Sequence, residues 1–179
     1  MQDVAMLIQE LLENSAAAHA SSITLTLHPC DPSGNTCFTV TDNGCGMDEA
    51  TLSKVLSPFT TSRTTRKVGL GLSFLHQVVT QTQGRLEIDS KPGKGTSVCA
   101  SWKADHWDAP PLGNIGEVVM IHLQGHPSIE LVVELPDFVL NTADLKKQLD
   151  PVPIDDPGVL RYLESSVMTH LQTLREETP

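Results

Sequence analysis

Two loops, each built on a pair of glycines, constrain this chain more than any other feature. Asp42-Asn-Gly-Cys-Gly46 follows a strand pattern, and Val68-Gly-Leu-Gly-Leu72 opens a helix pattern. Either alone reads as an ordinary turn; their order among the neighbouring segments carries the information. Upstream, residues 3–19 read as a helix with Val4, Leu7, Ile8, Leu11 and Leu12 on one stripe, and Glu10, Asn14 and Ala17 beside it. Residues 22–28 and 36–41 alternate as strands around the turn cluster Asp31-Pro-Ser-Gly-Asn35, which predicts a β-hairpin. Asp48 is placed to cap a short helix over 49–56. Residues 57–69 lack periodicity and read as a loop. A helix is predicted over 70–81, burying Leu72, Leu75, Val78 and Val79, with Gly84 as its stop. Strands at 85–90 and 96–102 flank the turn Lys91-Pro-Gly-Lys-Gly95.

A second region follows the Pro/Gly-rich boundary Asp108-Ala-Pro-Pro-Leu-Gly113. Residues 117–124 and 129–135 read as two strands around Gly125-His126-Pro127-Ser128. Asn141 or Thr142 can cap a short helix ending at Leu149. Asp156 with Pro157 opens a last helix of about 157–175, proline suiting the first helical position. The predicted organisation is a first domain over 1–104, a linker over 105–114 and a small acidic α+β extension, a β-hairpin plus helices, over 115–179, packed on the first domain.

Charge is uneven. Residues 1–102 hold 7 Lys/Arg against 9 Asp/Glu, whereas residues 103–179 hold 5 against 13. An acidic surface argues against nucleic acid as a partner, because phosphate contacts need Lys and Arg. No apolar run approaches a membrane span. The acidic N-terminal stretch does not read as a secretory signal. The four cysteines, Cys30, Cys37, Cys45 and Cys99, form no C-x-x-C pair and read as reduced thiols, so a cytoplasmic setting is expected.

The chemistry of the pieces converges on one ligand. Asn14 offers a neutral amide oxygen, suited to a hard cation such as Mg²⁺. Glu10 lies one helical turn earlier on the same side, where a carboxylate can orient or deprotonate a water. Asp42 ends a strand and can accept a hydrogen bond from an exocyclic amine, while Gly44 and Gly46 let a flat base approach the backbone. Gly69-Leu-Gly-Leu72 presents free helix N–H groups to phosphates, and Arg63, Arg66 and Lys67 add positive charge just before it.

Five segments in order resemble the GHKL superfamily, which comprises gyrase-type and MutL-type ATPases, the heat-shock chaperone and histidine kinase catalytic domains. Glu10-Leu-Leu-Glu-Asn14 resembles the N box, and Asp42-Asn-Gly-Cys-Gly46-Met47 the first glycine box. Ser57-Pro-Phe59-Thr60-Thr61 resembles the stretch opening the ATP lid, and Val68-Gly69-Leu70-Gly71-Leu72 the second glycine box. Gly84–Ser90 with Gly93-Lys-Gly-Thr96 resembles the final strand pair. The match covers about residues 3–102 and looks closest to histidine kinases. It implies a two-layer α/β (α+β) sandwich, a mixed, mainly antiparallel sheet backed by helices, holding ATP and Mg²⁺ (the Bergerat fold). By resemblance Asn14 is the Mg²⁺ ligand, and Glu10 stands where hydrolytic members keep their general base. Asp42 hydrogen-bonds adenine with Thr96 supporting it through water. The nucleotide contacts extend over Gly44, Gly46, Met47, Phe59, Thr60, Thr61, Arg63, Lys67, Gly69, Leu70, Gly71 and Leu72.

Two departures bear on function. Kinases of the family usually carry another glycine where Lys67 stands, which predicts a stiffer lid hinge. The chain begins almost at the N box, and none of its seven histidines has a phosphoacceptor context; each reads as an ordinary surface or core residue. The expectation is therefore a stand-alone histidine-kinase-type module that phosphorylates a separate protein. The alternatives are an ATPase with a nucleotide-ordered lid and a non-catalytic ATP-dependent binding module.

Overall fold

The computed structural model describes residues 3–56 and 70–177. The first helix, α1 (Val4–Ala17), starts where Asp3 Oδ1 accepts the Met6 N–H at 2.8 Å, and its predicted stripe is buried. Strands β1 (Ser22–His28) and β2 (Asn35–Asp42) form the expected hairpin, with Ile23, Leu25, Leu27, Phe38 and Val40 turned into the core. Helix α2 (Glu49–Leu56) is capped by Asp48, whose Oδ1 accepts the Thr51 N–H at 2.7 Å. Helix α3 (Leu70–Gln81) buries Leu72, Leu75, Val78 and Val79. It stops before Gly84, where a Cβ would lie 2.3 Å from the Ser101 carbonyl of the neighbouring strand. Strands β3 (Arg85–Lys91) and β4 (Gly95–Lys103) complete this half of the sheet.

The six strands form one sheet in the order β3-β4-β2-β1-β5-β6. Strand β5 (Glu130–Leu135) pairs parallel with β1, and β6 (Phe138–Asn141) closes the edge antiparallel to β5. The C-terminal region thus continues the sheet begun by the first hundred residues.

Residues 117–124 are not a strand. They lie within helix α4 (Ile115–Gly125), capped by Asn114, whose Oδ1 accepts the Glu117 N–H at 2.9 Å. A short apolar run does not by itself distinguish a strand from a buried helix. Topology supplies the reason for the helix. Strand β4 is antiparallel to β2, and β2 to β1, so β4 runs parallel to β5. Parallel strands with two others between them, here β2 and β1, need a crossover, which is usually helical. The hairpin of the C-terminal region is accordingly β5–β6, turning at Pro136-Asp137 rather than at Gly125–Ser128.

Helix α4 packs on α1 and is covered by α6 (Pro157–Glu177), with Asp156 Oδ1 accepting the Gly158 N–H at 2.8 Å to open that last helix. Helix α5 (Thr142–Leu149) is capped by Asn141. The Pro/Gly-rich boundary is stitched to α1: Val4 and Ala5 N–H donate to the carbonyls of Pro111 and Leu112 at 2.9 and 3.0 Å. These two bonds satisfy helix N–H groups that have no intrahelical acceptor.

Candidate functional site

The site grows from the junction of α1, the end of β2 and the start of β4. On α1, Glu10 is exposed, Asn14 is half-buried and Ser15 is buried. Asp42 closes β2 opposite Thr96 of β4. Its Oδ1 accepts the Gly44 N–H at 2.8 Å and the Thr96 N–H at 3.3 Å, and its Oδ2 accepts the Ser15 hydroxyl at 2.7 Å. An ionised carboxylate offers about four acceptor positions. Oδ2, with one bond made, keeps a free lone pair on a rigidly held group.

Three backbone bonds hold the following loop. Cys45 N–H donates to the Ala18 carbonyl at 2.9 Å, Asn43 N–H to the Ser22 carbonyl at 3.3 Å, and Gly93 N–H to the Cys45 carbonyl at 2.8 Å. Asn43 Oδ1 also takes the N–H groups of Ser21 and Ser22. The glycines are required by these close approaches. A Cβ at Gly44 would lie 2.7 Å from the Ala18 carbonyl oxygen, and one at Gly46, where φ is +64°, would lie 2.0 Å from that of Lys91. Their first role is to dock the loop on α1 and on the β3–β4 turn.

Thr96 contacts Asp42 directly through its backbone N–H, while its hydroxyl shares a 2.8 Å bond with Ser90 Oγ. Ser90 Oγ in turn accepts the Met47 N–H at 2.8 Å, tying the first glycine box to the last strand pair. Gly71, in the first turn of α3, has no Cβ because Glu10 Cβ would stand 2.6 Å from it. The absent side chain brings the start of α3 against Glu10.

Glu10, Asn14, Asp42, Gly44, Gly46, Met47, Gly71 and Thr96 thus come from segments that meet around α1. Leu72 is a core residue, 8% exposed. Phe59, Thr60, Thr61, Arg63, Lys67 and Gly69 lie outside the described residues, as does Arg66. Sequence reasoning missed Ser15 and Ser90. Ser15 had a legible signal: it extends the buried stripe of Ile8, Leu11 and Leu12 by one turn, and a polar group on such a stripe needs a partner. Ser90 had none, being one serine in an alternating strand. A separate cleft of about 490 Å³ lies near the N-terminal end of α1, between Val4, Pro29, Thr36 and Leu112, and holds none of the predicted site residues.

A model of the histidine kinase-, DNA gyrase B- and HSP90-like ATPase family matches residues 2–106, more than half of the chain. The chain belongs to that family. Its first hundred or so residues are a GHKL ATP-binding domain of the histidine kinase type. Among its relatives is the sensor protein kinase FleS of Pseudomonas aeruginosa, 37% identical over 110 residues, which are 62% of this chain and 27% of that protein. The DNA mismatch repair protein MutL of Gemmatimonas aurantiaca is 31% identical over 102 residues, 52% of this chain and 16% of that one. Among solved structures, the Aquifex aeolicus MutL ATPase domain complexed with ADP aligns over 84% of this chain and 68% of that chain, at TM-score 0.46 and 14% identity. The chain spans between 6% and 27% of the length of the curated relatives it matches. Among the described residues, no helix is long and apolar enough to cross a membrane.

GHKL domains bind ATP, generally with Mg²⁺, and one feature of this chain fits such a group. Asn14 Nδ2 is buried without a hydrogen-bond partner among the described residues. A buried amide left unpaired is costly. A phosphate oxygen would satisfy the nitrogen, leaving the amide oxygen for a hard cation.

Proposed function

We propose that this chain binds Mg²⁺-ATP and works as a histidine-kinase-type catalytic module, passing the γ-phosphate to a histidine on a separate protein. The observation that carries the reading is the Asp42 carboxylate, fixed by Ser15, Gly44 and Thr96 with an acceptor position to spare. Oδ2 accepts the exocyclic amine of adenine, and Gly44 and Gly46 keep the loop close enough for the ring to lie along it. Asn14 holds Mg²⁺ through its amide oxygen. When bound, the cation neutralises phosphate oxygens and eases departure of the ADP leaving group. The first-turn N–H groups of α3 face the phosphates. The sensor kinases among its relatives support the phosphotransfer reading.

Hydrolysis is the second reading, and the contact between Glu10 and Gly71 favours it. That contact sets an exposed carboxylate beside the start of α3, where it can orient a water toward the γ-phosphate. Residues 57–69, expected from the sequence as the lid of this second reading, lie outside the described residues. The sequence also allows a third outcome, ATP-dependent docking of a protein partner without turnover.

We read residues 1–104 as the nucleotide domain, 105–114 as its linker and 115–179 as an acidic cover built onto it. The pairing of β5 with β1 and the packing of α4 on α1 support this. Limited proteolysis within 103–114 should leave the two fragments associated; separation into two independent pieces would contradict it. Free Cys30, Cys37, Cys45 and Cys99 fit a reducing, cytoplasmic setting.

Incubation with γ-labelled ATP, alone and with candidate receiver or phosphotransfer proteins, tests the function. Label on a partner histidine supports the kinase. Phosphate release abolished by Glu10→Gln would instead establish the ATPase, and tight Mg²⁺-ATP binding with neither outcome would overturn both catalytic readings.

A further inference from the structure

Helix α4 carries His122 in its last turn, and His126 caps its C-terminal end, the His126 N–H donating to the His122 carbonyl at 2.8 Å. Read as a strand over 117–124, the segment put His122 on the strand and His126 in the turn beyond it. Helix α1 packs on α4 and presents Glu13 to them. Glu13 Oε2 lies 3.2 Å from His126 Nε2, and the two imidazole rings are 5.2 Å apart between centroids. One donor atom from each of the three residues lies within 4.8 Å of the others.

His122 is 1% exposed, and neither of its ring nitrogens has a hydrogen-bond partner among the described residues. A buried imidazole with both nitrogens idle needs an explanation, because such groups are normally paired. We propose that Glu13, His122 and His126 form a binding site for a divalent transition-metal ion of the zinc class, clamping α1 of the ATP-binding domain to α4 of the C-terminal region.

The donor set suits that ion: two neutral imidazoles and a carboxylate are common zinc ligands, and three protein ligands leave a fourth position for water. Bonds of about 2.0–2.1 Å in a tetrahedron put ligand atoms about 3.3 Å apart, close to the Glu13–His126 separation. The site has an entry path, since the side chains of His126 and Glu13 are 31% and 49% exposed while His122 forms its floor. Burial and the neighbouring His126 hold His122 neutral, with its lone pair available, by pushing its pKa down to about 4. The four thiols are the competing soft ligands in this chain, and none belongs to the cluster.

The test uses the full chain, stripped with a chelator and kept reduced. Zn²⁺ is titrated against a chromophoric competitor and Co²⁺ serves as the optical probe. The expected result is one ion per chain, cobalt d–d absorption without a thiolate charge-transfer band, and a rise in Tm on loading. His126→Gln and Glu13→Gln, both at partly exposed positions, should each weaken binding by at least about tenfold and remove the Tm rise. No stoichiometric binding to the wild type, equal binding by the two variants, or a thiolate band from the cysteines would each overturn the site.

Discussion

The Ser15 hydroxyl donates to Asp42 Oδ2 at 2.7 Å, bridging 27 positions of sequence and locking the C-terminal half of α1 to the end of β2. Asn14, the neighbouring residue on α1, is thereby held in register with the carboxylate. This bond links the two ends of the proposed pocket, alongside the Gly44 and Thr96 bonds to the same carboxylate.

Ser15→Ala should therefore act on both stability and affinity. Loss of a hydrogen bond to a charged group costs about 1.5–3 kcal/mol. The expected outcome is a lower urea midpoint with unchanged slope, and ATP affinity reduced by up to about tenfold in calorimetric titration. Unchanged affinity would mean that Asp42 is positioned without Ser15.

Two glycines of the β3–β4 turn separate strain from space. Gly95 has φ +97°, and a Cβ there would lie 1.9 Å from the Asp42 carbonyl oxygen. Gly93 has φ +71° but nothing within 4 Å. Gly93→Ala should cost about 1–2 kcal/mol from backbone conformation alone. Gly95→Ala should exceed that clearly, by more than about 3 kcal/mol in total, because backbone must move. Thermal melts of the two variants compare them directly.

In the metal-free protein, acid stability should carry the signature of His122. Its folded pKa is depressed to about 4 from 6.5, mainly by burial, with His126 adding to the depression and Glu13 opposing it. Between these values the unfolded chain binds more protons than the folded one, so stability rises with pH. Stability should be full above about pH 6.5, fall as pH drops toward about 4, and level below it, over a range on the order of 3 kcal/mol. Denaturant titrations at several pH values, with His122→Leu as reference, measure this; the variant's profile should be flatter through that window.

Much of this fold is legible from periodicity. The stripes of α1 and α3 and the alternation of β1 and β2 are buried as their spacing predicts, and Asp48, Asn141 and Asp156 cap the helices they precede. Helix α4 was not legible, because Val118-Val-Met-Ile121 has strand-like composition and its helical state is decided by a crossover that only the sheet order reveals. The glycine boxes and N box were visible as motifs, but not the reason for their glycines. Gly44 and Gly46 make room for Ala18 and Lys91, and Gly71 makes room for Glu10, contacts between segments far apart in sequence. The bonds of Ser90 to Met47 and Thr96 were invisible for the same reason.

The proposed function rests on Asp42 as the carboxylate that reads adenine. Mg²⁺-ATP binding by wild type and Asp42→Asn, measured calorimetrically with both proteins verified as folded, tests it most directly. The expected result is an affinity loss of about 10- to 100-fold for Asp42→Asn, the worth of one charge-assisted hydrogen bond. Equal affinity in a folded variant would contradict the assignment of the pocket.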